Sequence, residues 1–197
     1  YKEKEIINFI SNKFQIVEQY EINWNKNNFS KSLTSFYGTN LPPNSKKELH
    51  CGNGKFLVIT FYDLNPNYGF TETSRGMENV NLNIFSIKQL FREWTRGGHK
   101  IHTTNSTLET NHDLVMLFGI NYLDYESSIQ LKKNSGNKES NVIKNIPKSV
   151  IGVDGWESLE KFFYVINETV QYVVLRNYEI LPKKYFSEEH GDIDLLV

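Results

Sequence analysis

Three histidines, His99, His102 and His112, fall within fourteen residues of one another. A neutral imidazole is a competent nucleophile near pH 7, and a covalent intermediate on it divides one hard transfer into two easier steps. The same three side chains could instead be zinc ligands, although no cysteine pairs with them. Arg92 and Arg96 stand just before this stretch and could hold phosphates bidentately. A second constellation ends the chain, His190-Gly191-Asp192-Ile193-Asp194-Leu195-Leu196-Val197. Carboxylates two apart on a strand point to the same face, so Asp192 and Asp194 could share Mg²⁺.

The elements that must position these groups follow from periodicity. Ile6, Ile7, Ile10 and Phe14 predict an amphipathic helix over 3–13. Phe14, Ile16, Tyr20, Ile22 and Trp24 share one parity, which predicts a long strand. Asn27-Asn28 can cap a short helix carrying Phe29, Leu33, Phe36 and Tyr37, and a turn-rich stretch with Pro42-Pro43 follows. The run Phe56–Tyr62 reads as a buried central strand, and Asn65 to Met77 as a loop. A helix is expected from Asn83 to Trp94, ended by Gly97-Gly98. His99 to Asn105 reads as short and β-like. Ser106 with Glu109 forms a capping box opening a helix whose apolar positions are Leu108, Leu114, Leu117 and Phe118, stopped by Gly119. Polar residues 132–148 read as linker or exposed loop. A helix from Trp156 to Glu168 and strands at Tyr172–Leu175 and Asp192–Val197 complete the pattern, which breaks off inside a second unit.

The order up to Gly119 suits an α/β (α+β) fold, a ferredoxin-like antiparallel sheet with helices on one face, plus a partial second α/β unit. The expected division is 1–125, a linker over 126–149, and 150–197.

Totals narrow the class. Of 197 residues, 39% are apolar and 14% aromatic, enough for a packed core. The formal charge of -1 gives no support for binding nucleic acid through bulk charge. No apolar run is long enough to span a membrane, and the first residues lack the apolar stretch of a secretory signal. The single cysteine, Cys51, excludes an internal disulfide framework and fits a reducing cytoplasm. The expectation is a cytoplasmic protein without membrane or nucleic-acid partners.

Several colinear stretches carry a resemblance. Glu5-Ile6-Ile7-Asn8-Phe9-Ile10 through Lys13-Phe14-Gln15-Ile16-Val17 resembles the opening of nucleoside diphosphate kinases. Phe29 to Tyr37 is similar to that family's next helix, and Phe56 to Phe61 to its central apolar strand. His99-Lys100-Ile101-His102-Thr103-Thr104-Asn105-Ser106 with the helix to Phe118 resembles its active-site segment. The resemblance covers about six-tenths of the chain, residues 4–119. It implies a γ-phosphate carried from a nucleoside triphosphate to a diphosphate on His102, with Mg²⁺. It also implies that Asp113, eleven residues on and one methylene shorter than the family's glutamate, orients His102. Tyr37, Arg92, Arg96, His99 and Thr104 become nucleotide-binding candidates, and a homo-oligomer is expected. The chain departs from the family in starting beyond the first strand, which carries a phosphate-binding lysine. Thr103-Thr104-Asn105 replaces Gly-Ser-Asp, and His99 replaces an asparagine.

The C-terminal segment resembles the metal-binding strand of polymerase-β-type nucleotidyltransferases. The alternative reading it implies is a nucleotidyltransferase, truncated here, in glycan or nucleotide-sugar metabolism. Asp192 and Asp194 would then bind the metal, and the kinase-like part would be a non-catalytic scaffold.

Overall fold

The computed structural model describes residues 2–52, 54–134, 143–146, 149–175, 178, 181–182 and 193–197. Its elements begin α1 (Glu3–Lys13), β1 (Gln15–Asn23), a 3₁₀ turn (Lys26–Asn28), α2 (Phe29–Tyr37), α3 (Lys46–Cys51) and β2 (Lys55–Tyr62). They continue β3 (Tyr68–Thr73), β4 (Gly76–Asn81), α4 (Leu82–Trp94), α5 (Thr107–Phe118) and α6 (Tyr122–Asn134). The last are β5 (Ile143–Ile146), α7 (Leu159–Thr169), β6 (Val173–Val174) and β7 (Leu195–Leu196). The architecture is α+β.

β1 is the middle strand of the main sheet. β2 pairs it antiparallel, from Gln15 opposite Tyr62 to Asn23 opposite Lys55, and β5 pairs it parallel on the other side. Among the described residues the run Phe56–Tyr62 is therefore an edge strand, where the sequence suggested a central one. It reads as central because both its faces are covered. Ile59 and Phe61 pack into one core, Phe56, Val58 and Tyr62 into the other.

Helices cover both faces of this mixed sheet, which corrects the expected antiparallel sheet with helices on one face. α1 and α4 build one core from Ile10, Phe14, Ile84, Ile87 and Phe91. α2, α5, α6 and α7 build the other, with Phe29, Leu33, Leu114, Val115, Ile129 and Val165 packed around Tyr20 and Ile22 of β1 and Trp24 just past its end. A bulge between Ile16 and Glu18 switches the face on which the apolar parity of β1 lies. Before it, Phe14 and Ile16 join the α1/α4 core. Val17 at the bulge and Tyr20, Ile22 and Trp24 beyond it join the other, so the single parity read from the sequence is broken once. The buried Glu18 is satisfied by the Tyr20 hydroxyl and by Lys132 at 2.9 Å, so its charge is not left bare.

Four further expectations are corrected. The loop expected over Asn65–Met77 contains strand β3 and the start of β4, a hairpin closed at Ser74-Arg75; its Gly and Thr content masks an alternating exposure pattern. α3 lies in the turn-rich stretch and is capped by Ser45, whose hydroxyl accepts from the Glu48 N–H. The cap expected from Asn27-Asn28 comes instead from Asn25, which accepts from the Asn27 N–H. Leu108 is 83% exposed and is no part of the apolar face of α5.

The helix α6 runs across the boundary expected at residue 125, burying Tyr125 and Ile129, and β5 joins the main sheet from within the expected linker. Val150 and Val165 lie in the same core as Leu114, so chain up to α7 packs on the first unit. β6 and β7 pair antiparallel as a small separate ribbon. Among the described residues no helix is long and apolar enough to cross a membrane.

Candidate functional site

The site is built on the crossing from α4 to α5. α4 is capped at its start by the Asn81 side chain, which accepts from the Asn83 N–H. It ends in a Schellman arrangement: the Gly97 N–H donates to the Arg92 carbonyl at 2.7 Å and the Arg96 N–H to Glu93 at 3.0 Å. Arg96 holds the left-handed position, with φ of 64°, that glycine usually takes. The next segment, residues 99–105, is irregular, not the short strand expected. It is pinned by backbone bonds instead. Arg92 donates to the Ile101 carbonyl at 3.3 and 3.4 Å, Lys88 to the Thr103 carbonyl at 3.3 Å, and the Asn81 N–H to the Asn105 carbonyl at 2.9 Å. α5 then opens as the capping box foretold, with the Ser106 hydroxyl accepting from the Glu109 N–H. The Glu109 carboxylate reaches back one residue further than usual, to the Asn105 N–H at 2.6 Å.

This start fixes where α5 presents Asp113. His102 Nε2 lies 2.7 Å from Asp113 Oδ2, and His112 Nδ1 lies 3.2 Å from Oδ1. Asp113 is the buried member, at 12% side-chain exposure against 31% for His102. Burial opposes its charge, but the hydrogen bonds from His102 and His112 outweigh it and hold the carboxyl below its ordinary value. An ionised carboxylate only accepts, so Nε2 of His102 carries a proton toward it, and in the neutral ring Nδ1 then keeps the lone pair. The shorter acid therefore reaches its histidine in full.

The aromatic rings of Phe36 and Tyr37 stand edge-on to the His102 imidazole, each with centroids 5.6 Å away. Both come from the last turn of α2, on the same core as α5. Burial first, with nearby Cys51 and Asp113, pushes the Tyr37 hydroxyl well above its ordinary range, so it stays protonated and can donate.

The other expected residues divide. Arg92 braces the segment bearing His102. Arg92, Arg96 and His99 line one open groove of about 710 Å³ together with Gln89, Glu93, Gly97 and Gly98. The His99 ring lies beside His50, centroids 5.5 Å apart. Burial, then Lys47, His50 and Arg92, lowers its pKa and favours the neutral ring. Thr104 accepts from the Thr110 hydroxyl at 2.8 Å and thereby ties the segment to α5. Asp192 lies outside the described residues. Asp194 precedes β7, and its carbonyl accepts from the Leu175 N–H at 3.0 Å. The zinc reading of His99, His102 and His112 is not upheld: among the described residues no group of three His, Cys, Asp or Glu could hold a metal ion. His102 and His112 share a carboxylate, while His99 faces His50.

Sequence reasoning missed Phe36, Lys47 and Lys88 as neighbours of the site, and offered His112 only as a zinc ligand, not as the second partner of Asp113. Lys88 had a local signal, since it precedes Arg92 by four residues on one helix face. Lys47 had none; α3 brings its ammonium 2.9 Å from the centroid of the Tyr37 ring. A separate cavity of about 490 Å³, lined by Asn25, Phe118, Asp154, Trp156 and Lys161 among others, holds none of these residues.

No family model matches the chain, and no match is found among curated proteins or solved structures.

Proposed function

We propose that the chain is a phosphotransferase of the nucleoside diphosphate kinase kind, carrying a phosphoryl group on Nδ1 of His102. The observation that carries this reading is the 2.7 Å bond from His102 Nε2 to Asp113, which fixes the tautomer that leaves Nδ1 free to attack. The Nδ1 lone pair attacks the γ-phosphorus of a nucleoside triphosphate, the bond to the β-phosphate oxygen breaks, and the diphosphate leaves. As the ring gains positive charge, the Asp113 carboxylate stabilises it through Nε2–H. An oxygen of a second nucleoside diphosphate then attacks the phosphorus, and the N–P bond breaks to restore the neutral imidazole.

Both Asp113 oxygens are taken by imidazoles, and the Glu109 oxygens face the Asn105 N–H and Arg75. The residues around His102 thus supply no carboxylate set to cage Mg²⁺, and the ion this chemistry uses would enter on the nucleotide phosphates.

Incubation with γ-labelled ATP and Mg²⁺ tests the proposal, with His102→Ala alongside. Label that is acid-labile, base-stable and absent from the variant is the expected result. Folded protein that takes no label sinks it. The β6–β7 pairing supports a second reading, since it sets Asp194 at the head of a strand as a nucleotidyltransferase would need. In a chain extended beyond Val197, Asp192→Ala should then abolish metal-dependent nucleotidyl transfer.

A further inference from the structure

Three cations converge on the His102 segment without closing an ion pair among the described residues. Lys88 and Arg92 donate to the carbonyls of Thr103 and Ile101, the residues on either side of His102. Lys47 sits over the Tyr37 ring, whose edge meets the imidazole. All three side chains are half-buried, and none belongs to an ion pair among the described residues. The nearby acids are already engaged: Asp113 by two imidazoles, Glu109 by the Asn105 N–H and by Arg75. Gathering like charges in partly dry surroundings destabilises a fold unless an anion joins them. Burial is the main cause that lowers the pKa of both lysines, with Arg92 repelling each and Lys88 repelling Lys47, and the attraction of Glu109 and Asp113 offsets this only in part at Lys88. Beside them the Thr103 hydroxyl is buried and makes no hydrogen bond.

We infer that Lys47, Lys88 and Arg92 form a cradle for a polyphosphate chain next to His102, either the tail of a nucleotide or inorganic polyphosphate. Two compact ammonium groups and one planar guanidinium suit several phosphate oxygens at once. The inference deepens the phosphotransfer reading and rests on it for the placing of the phosphate to be transferred. Phosphate binding itself can be read without transfer.

The test is calorimetric titration of His102→Ala protein, which cannot be phosphorylated on that ring, with inorganic tripolyphosphate and separately with β,γ-imido-ATP. Adding Lys47→Met or Lys88→Met should weaken tripolyphosphate binding about tenfold each, the loss of one charge-assisted contact. Lys4→Met on α1 should change nothing. Equal affinity for the two probes assigns the cradle to polyphosphate alone, and tighter binding of the imido analogue assigns it to nucleotide. Amine acetylation of the unmutated chain gives a second readout that needs no variant: tripolyphosphate should protect Lys47 and Lys88 but not Lys4 or Lys31. The inference is overturned by unaltered affinity in folded variants, by absence of binding at millimolar tripolyphosphate, or by equal acetylation with and without it. Binding retained while the γ-phosphate label never appears would refute the transfer reading and leave the cradle standing.

Discussion

Asp113→Asn is the most informative single change, because it keeps the shape of the side chain and removes only its charge. In the wild type the carboxylate accepts from His102 at 2.7 Å and is largely shielded from water. A hydrogen bond to a charged partner in such a place contributes about 1.5–3 kcal/mol. That stabilisation grows as the imidazole becomes cationic during attack, so its loss falls on the transition state. At about 1.4 kcal/mol per tenfold, phosphorylation should slow by roughly 10- to 150-fold. An asparagine whose NH₂ turns toward Nε2 would move the ring proton to Nδ1 and slow the reaction further. The assay is the initial rate of acid-labile labelling from γ-labelled ATP, with thermal melts to show that the variant is folded. Labelling of folded Asp113→Asn at the wild-type rate would refute the orienting role. Asp113→Glu adds a probe of fit. The aspartate already bonds at full contact, so the extra methylene must fold back, and labelling should fall below wild type instead of rising.

Acid should expose the same bond in stability. The Asp113 pKa in the folded state lies below its ordinary 3.8, so its contribution is complete above that value and fades as pH falls through the lowered one. Urea unfolding of wild type and Asp113→Asn should differ most at neutral pH, with the gap closing below about pH 4. A gap that widened on acidification would contradict this sign. Arg96→Gly should raise stability by roughly 0.5–1 kcal/mol, since φ of 64° strains any residue with a Cβ; an unchanged or lower urea midpoint would count against the cap geometry. Ile22→Ala, at 1% exposure in the α2/α5 core, should cost about 2–5 kcal/mol by chemical denaturation, and a cost under 1 kcal/mol would mean that the site is not packed as described.

What the sequence disclosed was local. α1, α4 and α5 stand nearly where periodicity put them, and α5 starts and stops where Ser106 and Gly119 act on backbone within a few residues. The pairing of His102 with Asp113 was legible only through the resemblance, since eleven residues of separation say nothing by themselves about contact. Long-range choices stayed hidden. Nothing near Phe56–Tyr62 tells an edge strand covered on both faces from a central one. Nothing in the polar stretch before Pro147 announces that Ile143–Ile146 pairs with β1. The β3–β4 hairpin is mostly solvated, so it lacks the apolar alternation that marks a strand packed on a core. Lys47 reaches Tyr37 only because α3 folds back over α2, a matter of tertiary docking.

The covering of both sheet faces gives the site its mechanical setting. Because a separate core lies on each face, the parts of the site are mounted on opposite sides of a single sheet. Lys88 and Arg92 ride on α4 with one layer, while Tyr37 and Asp113 ride on α2 and α5 with the other. His102 hangs on the cord of chain between them. The gap between the imidazole and the cations is thus set by how the two layers seat on the sheet, like the jaws of a caliper on a common bar. A core substitution far from His102 that shifts either layer by a fraction of an ångström would detune the site while the protein is still fully folded.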